Sequence, residues 1–338
     1  MRISSCVAVV AALLASQARA ADQALIDAAK KEGKVVWYTT LIVDQFVRPA
    51  VAAFERKYGV KVEYVRMDPN DIALRISNEG RAGQMRSDIS DGFGMPQLVR
   101  AGYVDSWLPD HVKKWPQQYF DPKGFWTSTN FFVLAPGFNT DVIKKGTEPR
   151  GYEALLDPRL KGKMAWSSRA SASSAVGFVG GVLSEMGEQK GMDYLRKLAA
   201  QGIINVDGSV RQVLDQVIAG EFPMALQMFN HHSVISQGKG APVDWVRFEP
   251  AMVVLAVFQL TAKGSSPNAA RLLLDFFTSE EGQKLFREAD YMPVDAAVPP
   301  REPSLKPEIG GFKATYYTPD QIDDGTPKWT EVYKQLFR

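Results

Sequence analysis

A strand, a helix and a second strand follow one another early in the chain, and this order constrains the fold more than any other feature. Residues 34–40 form a mostly apolar run that predicts a buried strand. Apolar side chains then recur every three or four positions up to Phe54, which predicts a helix, and Gly59 ends it before a strand at 60–65. Two strands joined in this way are parallel, with a right-handed connection. The chain is therefore predicted to be an α/β protein whose ligands lie at the carboxyl ends of strands.

The first twenty residues have the pattern of an export signal. Arg2 precedes an apolar run at 7–15, and residues 18–20 supply a small-x-small cleavage pattern. This run is too short to span a bilayer, and no later stretch has about 18 uninterrupted apolar residues, so no membrane-inserted helix is predicted. Residues 1–20 are thus predicted to be a signal peptide, and the mature protein is expected to be soluble and exported.

The charge and the cysteine content limit the cellular compartments and the classes of partner that are expected for this chain. Cleavage after Ala20 removes Arg2 and Arg19 from the 40 basic residues, so the remaining 38 balance the 38 acidic ones. It also removes Cys6, the only cysteine, and so neither a disulfide nor a thiol nucleophile is expected. A neutral chain offers no basic surface for nucleic acid or an anionic membrane. These features predict a protein of the bacterial periplasm without a nucleic-acid partner.

The length predicts two domains. A chain of 338 residues exceeds the usual size of one compact domain, about 100–200 residues. Residues 131–138 and 252–260 are mostly apolar and are interpreted as hinge strands that cross between two lobes. Lobe 1 is then predicted to comprise residues 21–130 and about 258–300, lobe 2 residues 131–257, and the C-terminal segment 301–338 is predicted to pack on the lobes.

Several short segments carry a family resemblance through their order and spacing. They lie at residues 36–40, 54–62, 138–140, 155–163, 219–221, 275–283 and 291–294. With these segments the chain resembles a bacterial extracellular solute-binding protein of an ABC importer, of the family 1 type that includes the ferric-ion-binding proteins. The resemblance implies a two-lobed, type II-like periplasmic binding protein, in which each lobe is an open sheet flanked by helices.

The same resemblance implies how such a protein works. A small-molecule solute is held in the cleft between the lobes, the lobes close around it, and the protein delivers it to the membrane permease of the importer. A solute stabilises the closed arrangement only to the extent that it binds that arrangement better. A diffusing carrier of this kind is expected to be a monomer that uses no cofactor.

Polar residues follow two predicted strands of lobe 1. Thr39 and Thr40 stand where the first strand meets the first helix, so their hydroxyls are candidates to hold a polar group of the ligand, and a helix cap is the alternative. Asp91, Gly92 and Phe93 form the next predicted turn, in which glycine permits a close backbone approach. An ordinary tight turn explains the same three residues.

A serine-rich segment in lobe 2 is the most informative polar feature. Ser167, Ser168 and Ser171 offer hydroxyls, Arg169 offers a fork of donors, and a helix is predicted to begin at residue 175. These groups suit a carboxylate, phosphate or sulfonate, because helix amino-terminal amides and arginine both favour oxyanions. The alternative is that the serines cap the helix and Arg169 points to solvent. Arg211 opens another predicted helix and is either a second anion clamp or a surface charge.

Two adjacent histidines follow a later predicted strand. Asn230, His231 and His232 occupy the region in which ferric-binding relatives carry adjacent tyrosines as iron ligands. Neutral imidazole suits borderline metals or an organic ligand better than the hard ferric ion. Because neighbours on a strand face opposite ways, one histidine is expected to enter the cleft, with His232 favoured. Tyr291 is predicted either to reach the cleft edge or to lie in the core.

Three interpretations of function follow. The leading one is a periplasmic receptor for a small anionic organic solute, and the second is a ferric-iron or metal-chelate receptor using His231 or His232. The third, from another class, is a secreted hydrolase or transferase, although no nucleophile elbow, metal-binding helix motif or Walker loop occurs in the sequence. His111 is expected at the solvated surface, and the pair at 316–317 is expected to serve packing.

Overall fold

Two compact units make up the part of the chain that the structure, a computed structural model, describes. This part comprises residues 23–93 and 95–338, so the predicted signal peptide and Cys6 lie outside it. The first unit is assigned Met1–Thr129 and Val257–Ala289, and the second Asn130–Ala256 and Asp290–Arg338. Two of the three chain boundaries between the units fall within strands. The boundary at 129/130 lies in β5 (Thr127–Asn139), just before the segment 131–138, and the boundary at 256/257 lies in β10 (Ala251–Thr261).

One segment near the carboxyl terminus differs from the predicted division. Residues 290–300 were assigned to lobe 1, yet they belong to the second unit together with the segment 301–338. The reason is backbone pairing, since Met292 and Pro293 pair with Phe131 and Asn130 of β5.

The first unit alternates helices and strands, as the sequence predicts. Its strands are β1 (Lys34–Thr39), β2 (Lys61–Arg66), β3 (Ile89–Gly92) and β4 (Val104–Asp105). Its helices are α1 (23–32), α2 (Arg48–Tyr58), α3 (Pro69–Arg81), α4 (Pro96–Arg100), α9 (Pro267–Thr278) and α10 (Glu280–Glu288). β1 is parallel to both β2 and β3, so the predicted β-α-β opening is confirmed.

Gly59 ends α2 for a reason that the backbone makes clear. It adopts the left-handed conformation with φ 71°, and its N–H donates to the carbonyl of Glu55. Glycine takes this conformation at no steric cost because it has no Cβ. The chain can therefore turn within one residue from α2 towards β2.

The second unit contains the larger number of elements. Its remaining strands are β6 (Met164–Ser167), β7 (Ile204–Val206), β8 (Met224–Phe229), β9 (Val243–Trp245), β11 (Met292–Pro293) and β12 (Ala314–Tyr317). Its helices are α5 (Ala175–Met186), α6 (Glu188–Ala199), α7 (Val210–Ile218), α8 (Asn230–Gly238), α11 (Pro307–Gly310) and α12 (Pro319–Phe337). The α/β class predicted from sequence is confirmed.

Three parallel strands form the centre of this unit. β6 lies between β8 and β7, and β5 runs antiparallel to β8 on the far side. α7 packs Val213, Leu214 and Val217 against Ala165 and Ala225 of these strands. Burial of such aliphatic side chains stabilises the fold by about 1.5–3 kcal/mol each. The apolar face of α7 thus packs on β6 and β8.

A side-chain hydrogen bond holds the turn that follows β5. Thr140 stands in this turn, and the Asn139 side chain accepts a hydrogen bond from Asp141 N. Asparagine favours such turns because its side chain mimics a backbone acceptor.

Across residues 23–93 and 95–338, no helix combines the length and apolar character that crossing a membrane requires.

Candidate functional site

Three polar turns lie at one edge of the parallel strands in the second unit. Ser167 of β6 pairs with Val206 of β7, and Ala165 pairs with Ala225 of β8, so all three strands end near one another. β6 and β7 are each followed by a turn and then a helix, whereas β8 runs directly into α8. We call this edge, with residues 167–174, 207–211 and the first turn of α8 at 230–233, the carboxyl edge. It is the side on which α/β proteins bind their ligands.

The first two serines of the serine-rich turn hold the turns of this edge together. Ser167 Oγ donates to the carbonyl of Gly208 at 2.6 Å, and Ser168 Oγ donates to the carbonyl of Val206 at 3.2 Å. Both residues are buried. Their hydroxyl protons are therefore engaged within the fold, which differs from the expectation that they are free for a ligand.

The remaining serines leave the start of α5 uncapped. Ser171 Oγ lies 2.8 Å from Ser173 Oγ, and Ser174 Oγ donates to the carbonyls of Arg169 and Ser171. Ser174 stands at the N-cap position, but its side chain makes no cap hydrogen bond. The capping role that was the alternative interpretation is thus wrong for this residue, and the first amides of α5 keep their capacity to bind an anion.

The two predicted arginines differ in how they are engaged. Arg169 lies in the serine-rich turn with an exposed side chain. Arg211, in the first turn of α7, is paired with Asp215, with its Nε and Nη2 at 3.0 and 2.7 Å from a carboxylate oxygen. An arginine paired in this way contributes less net charge to a ligand than a free one. Arg169 is therefore the stronger candidate of the two.

The histidine segment is helical, not extended. β8 ends at Phe229 and α8 begins at Asn230, so the expected alternation of two faces does not hold. Buried side-chain atoms without a hydrogen-bond partner are concentrated in the first turn of α8: Asn230 Oδ1, His231 Nδ1, His232 Nδ1 and Ser233 Oγ. Buried polar groups are nearly always hydrogen-bonded in folded proteins. Sequence analysis did not single out Ser233, because one serine within a helix carries no recognisable signal.

Both imidazoles are neutral at pH 7. Burial, and next the neighbouring His232, hold the pKa of His231 well below its usual 6.5. Burial also lowers the pKa of His232 to about 4, with the charge of Arg211 adding to the effect and Asp215 opposing it. The two ring centres are 4.4 Å apart. A neutral imidazole can donate one hydrogen bond to an anion or present one nitrogen to a metal.

Tyr291 lies in the core of the second unit. Its side chain is 5% exposed, and its ring packs edge-on against Phe132 at 5.9 Å and lies 6.2 Å from the ring of His231. Its ring thus packs near the first turn of α8. The core interpretation of this tyrosine therefore fits its surroundings.

The candidates of the first unit bind one another. Asp91 accepts hydrogen bonds from Trp37 Nε1 at 2.8 Å and from the N and Oγ1 of Thr40 at 2.9 and 2.6 Å. Thr39 is fully buried, and its Oγ1 accepts from Leu41 N. Burial raises the pKa of Asp91, and these hydrogen bonds oppose the rise. Their polar groups are thus used within the fold.

The position of the second predicted turn in this unit also differs from expectation. Asp91 and Gly92 belong to β3 and pair with Phe258 and Val257 of β10, so only Phe93 lies beyond the strand. The strand extends further than sequence predicts because pairing with β10 holds these two residues in extended geometry. Apolar periodicity does not report such pairing.

His111 lies at the surface, as the sequence predicts, with its side chain 39% exposed, and it also contacts α9. Its Nε2 lies 3.0 Å from Thr278 Oγ1, and its Nδ1 lies 3.7 Å from Asp275 Oδ1. This order resembles a catalytic triad, but the hydroxyl of Thr278 is buried and donates to the carbonyl of Leu274. A nucleophile must be free to reach a substrate. The contact therefore has the character of a helix-end interaction.

Within residues 23–93 and 95–338, no group of three or more His, Cys, Asp or Glu side chains is arranged to hold a metal ion. His231 and His232 supply two nitrogens at most to a metal or a chelate.

Comparison with known proteins identifies the family. Residues 88–309, more than half of the chain, match the model described as bacterial extracellular solute-binding protein. The chain therefore belongs to this family, whose members bind solutes for transport. The resemblance inferred from the sequence is confirmed.

Individual relatives are distant in sequence and close in fold. An uncharacterized protein of Haemophilus influenzae is 24% identical over 282 residues, which is 79% of each chain. Iron-bound HitA from Pseudomonas aeruginosa is 19% identical with a TM-score of 0.75, covering 90% of this chain and 99% of its own. The periplasmic binding protein AfuA from Actinobacillus pleuropneumoniae, with exogenous fructose-6-phosphate bound, is 22% identical with a TM-score of 0.73, covering 89% and 99%.

Proposed function

We propose that this protein captures a small anionic organic solute and passes it unaltered to the permease of an ABC importer. The observation that carries the proposal is the first turn of α8, where Asn230, His231, His232 and Ser233 keep buried polar atoms without partners at the carboxyl edge. Leaving such groups unpaired costs about 1–3 kcal/mol each. A bound solute that hydrogen-bonds to them offsets this cost.

The neighbouring turn favours an anion as that solute. The start of α5 has no side-chain cap, and Arg169 stands in the turn before it with an exposed guanidinium. Helix amino-terminal amides and arginine both prefer carboxylate and phosphate oxygens. The fructose-6-phosphate bound to AfuA makes a sugar phosphate the natural first probe.

The setting of this activity is part of the same proposal. The predicted signal peptide, residues 1–20, would place the mature protein in the periplasm. There it would act as a monomer.

A metal or metal-chelate receptor is the second candidate function. It is favoured by His231 and His232, whose neutral rings have centres 4.4 Å apart, and by the iron bound to the structural neighbour HitA. Neutral imidazole is a common ligand of borderline metals. On this alternative the solute would be a metal held jointly by imidazole and by an organic chelator.

Titration calorimetry on chelator-treated protein separates the two functions. We expect fructose 6-phosphate or citrate to bind without metal, and Arg169→Ala to weaken binding about 10- to 100-fold through the loss of a charge-assisted hydrogen bond. Arg159→Ala is the matched control, because Arg159 lies before β6, is exposed and pairs with Asp157. Binding that occurs only after metal is restored would contradict the anion proposal.

A further inference from the structure

A second guanidinium reaches the serine-rich turn from the end of α12. Arg338 Nη2 donates to the carbonyl of Ser168 at 3.3 Å. Its Cζ lies 5.3 Å from the ring centre of Tyr333, a distance at which a cation and an aromatic face attract. Arg338 is thereby brought to the peptide that precedes Arg169. Nothing in its local sequence predicts this, because some 170 residues separate the two in the chain.

The end of α12 is held in place by one network of hydrogen bonds centred on Asn205. Asn205 of β7 accepts hydrogen bonds from Trp166 Nε1 at 2.8 Å and from Tyr333 Oη at 2.7 Å through its Oδ1. Its Nδ2 donates to the carbonyl of Phe337 at 2.7 Å. The last turn of α12 is therefore fastened to the same strands whose ends form the carboxyl edge. Because the last turn of α12 is anchored in this way, less conformational entropy is lost when Arg338 binds a ligand.

Arg338 retains donors for a ligand. A guanidinium has five N–H groups, and the hydrogen bond to Ser168 occupies one of them. Arg211 and Arg159 are each paired with a carboxylate, of Asp215 and Asp157. The hydrogen bond of Arg338, by contrast, is to a neutral carbonyl, so its positive charge is not cancelled by this partner.

We propose that Arg338 is a ligand-binding residue and that, beside Arg169, it makes the carboxyl edge select dianions over monoanions. The inference rests on the proposed function and names the class of solute: one bearing a phosphate monoester, a phosphonate or two carboxylates. Two guanidinium groups at one turn match two negative charges, and each can bind oxygen atoms bidentately.

A matched pair of probes tests the charge preference. Fructose 6-phosphate is a dianion at pH 8, because the second pKa of a phosphate monoester is about 6, whereas fructose 6-sulfate is a monoanion of nearly the same shape. We expect Arg338→Ala to raise the Kd for the phosphate about 10- to 100-fold and the Kd for the sulfate much less. Arg338→Lys keeps the positive charge but lacks the planar guanidinium that binds two oxygen atoms at once. Its Kd for the phosphate should therefore lie between those of the unsubstituted protein and Arg338→Ala. Arg159→Ala should leave both values unchanged.

Two further results separate the role of Arg338 from a structural one. Tyr333→Phe removes a hydrogen bond to Asn205 while keeping the guanidinium, so it should lower the melting temperature without changing the phosphate-to-sulfate ratio. If Arg338→Ala alters both Kd values equally, or lowers only the melting temperature, Arg338 does not select dianions. If the unsubstituted protein binds neither probe nor citrate, the proposed function itself fails and this assignment falls with it.

Discussion

At the scale of single residues, a polar side chain is open to a ligand only if the fold does not already supply its hydrogen-bond partners. The carboxylate of Asp91 is surrounded by donors from Trp37 and Thr40, whereas His231 and His232 each keep a buried nitrogen without a partner. All of these residues carry the same kind of sequence signal, a polar group near the end of a strand. Only the surroundings distinguish the group that holds the fold together from the group that is open to a ligand.

Substitution of Asp91 should therefore reduce stability. Asp91→Asn puts an amide donor against the donors of Trp37 and Thr40, and we expect the free energy of unfolding to fall by about 2–3 kcal/mol. Urea denaturation measures this. Asp110→Asn is the control, because Asp110 is exposed and forms an ion pair with Lys113 on the surface. If the free energy of unfolding fell equally in the two variants, the interior hydrogen bonds of Asp91 would stabilise the fold no more than the exposed ion pair of Asp110.

The two histidines should make stability depend on pH. The pKa of His232 is about 4 in the folded protein and 6.5 in an unfolded chain, so the unfolded state binds the proton more readily. Stability is then fully present above pH 6.5 and is lost as pH falls towards 4, by about 3 kcal/mol for this group. His232→Gln should flatten the curve of melting temperature against pH in this range. A curve that keeps its shape in the variant would contradict the burial of His232.

At the scale of elements, apolar periodicity was sufficient wherever a helix or strand buries one regular face. It predicted the start of α5 at residue 175 and both ends of β10 to within one residue. It failed where a tertiary contact decides. The sequence predicted that the segment at Asn230 is the polar end of a strand. In the structure this segment is the buried first turn of α8. It is the part of the candidate site whose local structure the sequence predicted wrongly.

A pair of glycines in α5 tests how this helix packs. A Cβ on Gly180 would stand 2.4 Å from the indole of Trp329 in α12, whereas a Cβ on Gly181 would meet Tyr152 Oη at an ordinary 3.6 Å. Gly180→Ala should therefore destabilise the protein by about 1–3 kcal/mol. Gly181→Ala should be neutral or gain up to about 1 kcal/mol, since alanine favours helix. Thermal melting compares the two, and equal effects would mean that α12 does not pack on α5 as described.

At the scale of the whole molecule, sequence alone led to the right fold class and family. The order of many short segments was informative because each segment records a local requirement, such as Gly59 at the end of α2. The identity of the solute was not accessible, since a few side chains brought together from distant parts of the chain decide it. Arg338 is the clearest case, as its contact with Ser168 depends on the path of the entire carboxyl-terminal segment.

The central claim is that an anionic solute binds at the carboxyl edge, and the imidazole signals of the protein test it most directly. The chain has three histidines, of which His111 lies in the first unit and His231 and His232 lie in the first turn of α8. In ¹⁵N-histidine-labelled protein titrated with fructose 6-phosphate, we predict that the signals of His231 and His232 shift with the calorimetric Kd while that of His111 does not. Saturable binding that leaves the signals of His231 and His232 in place would contradict the account.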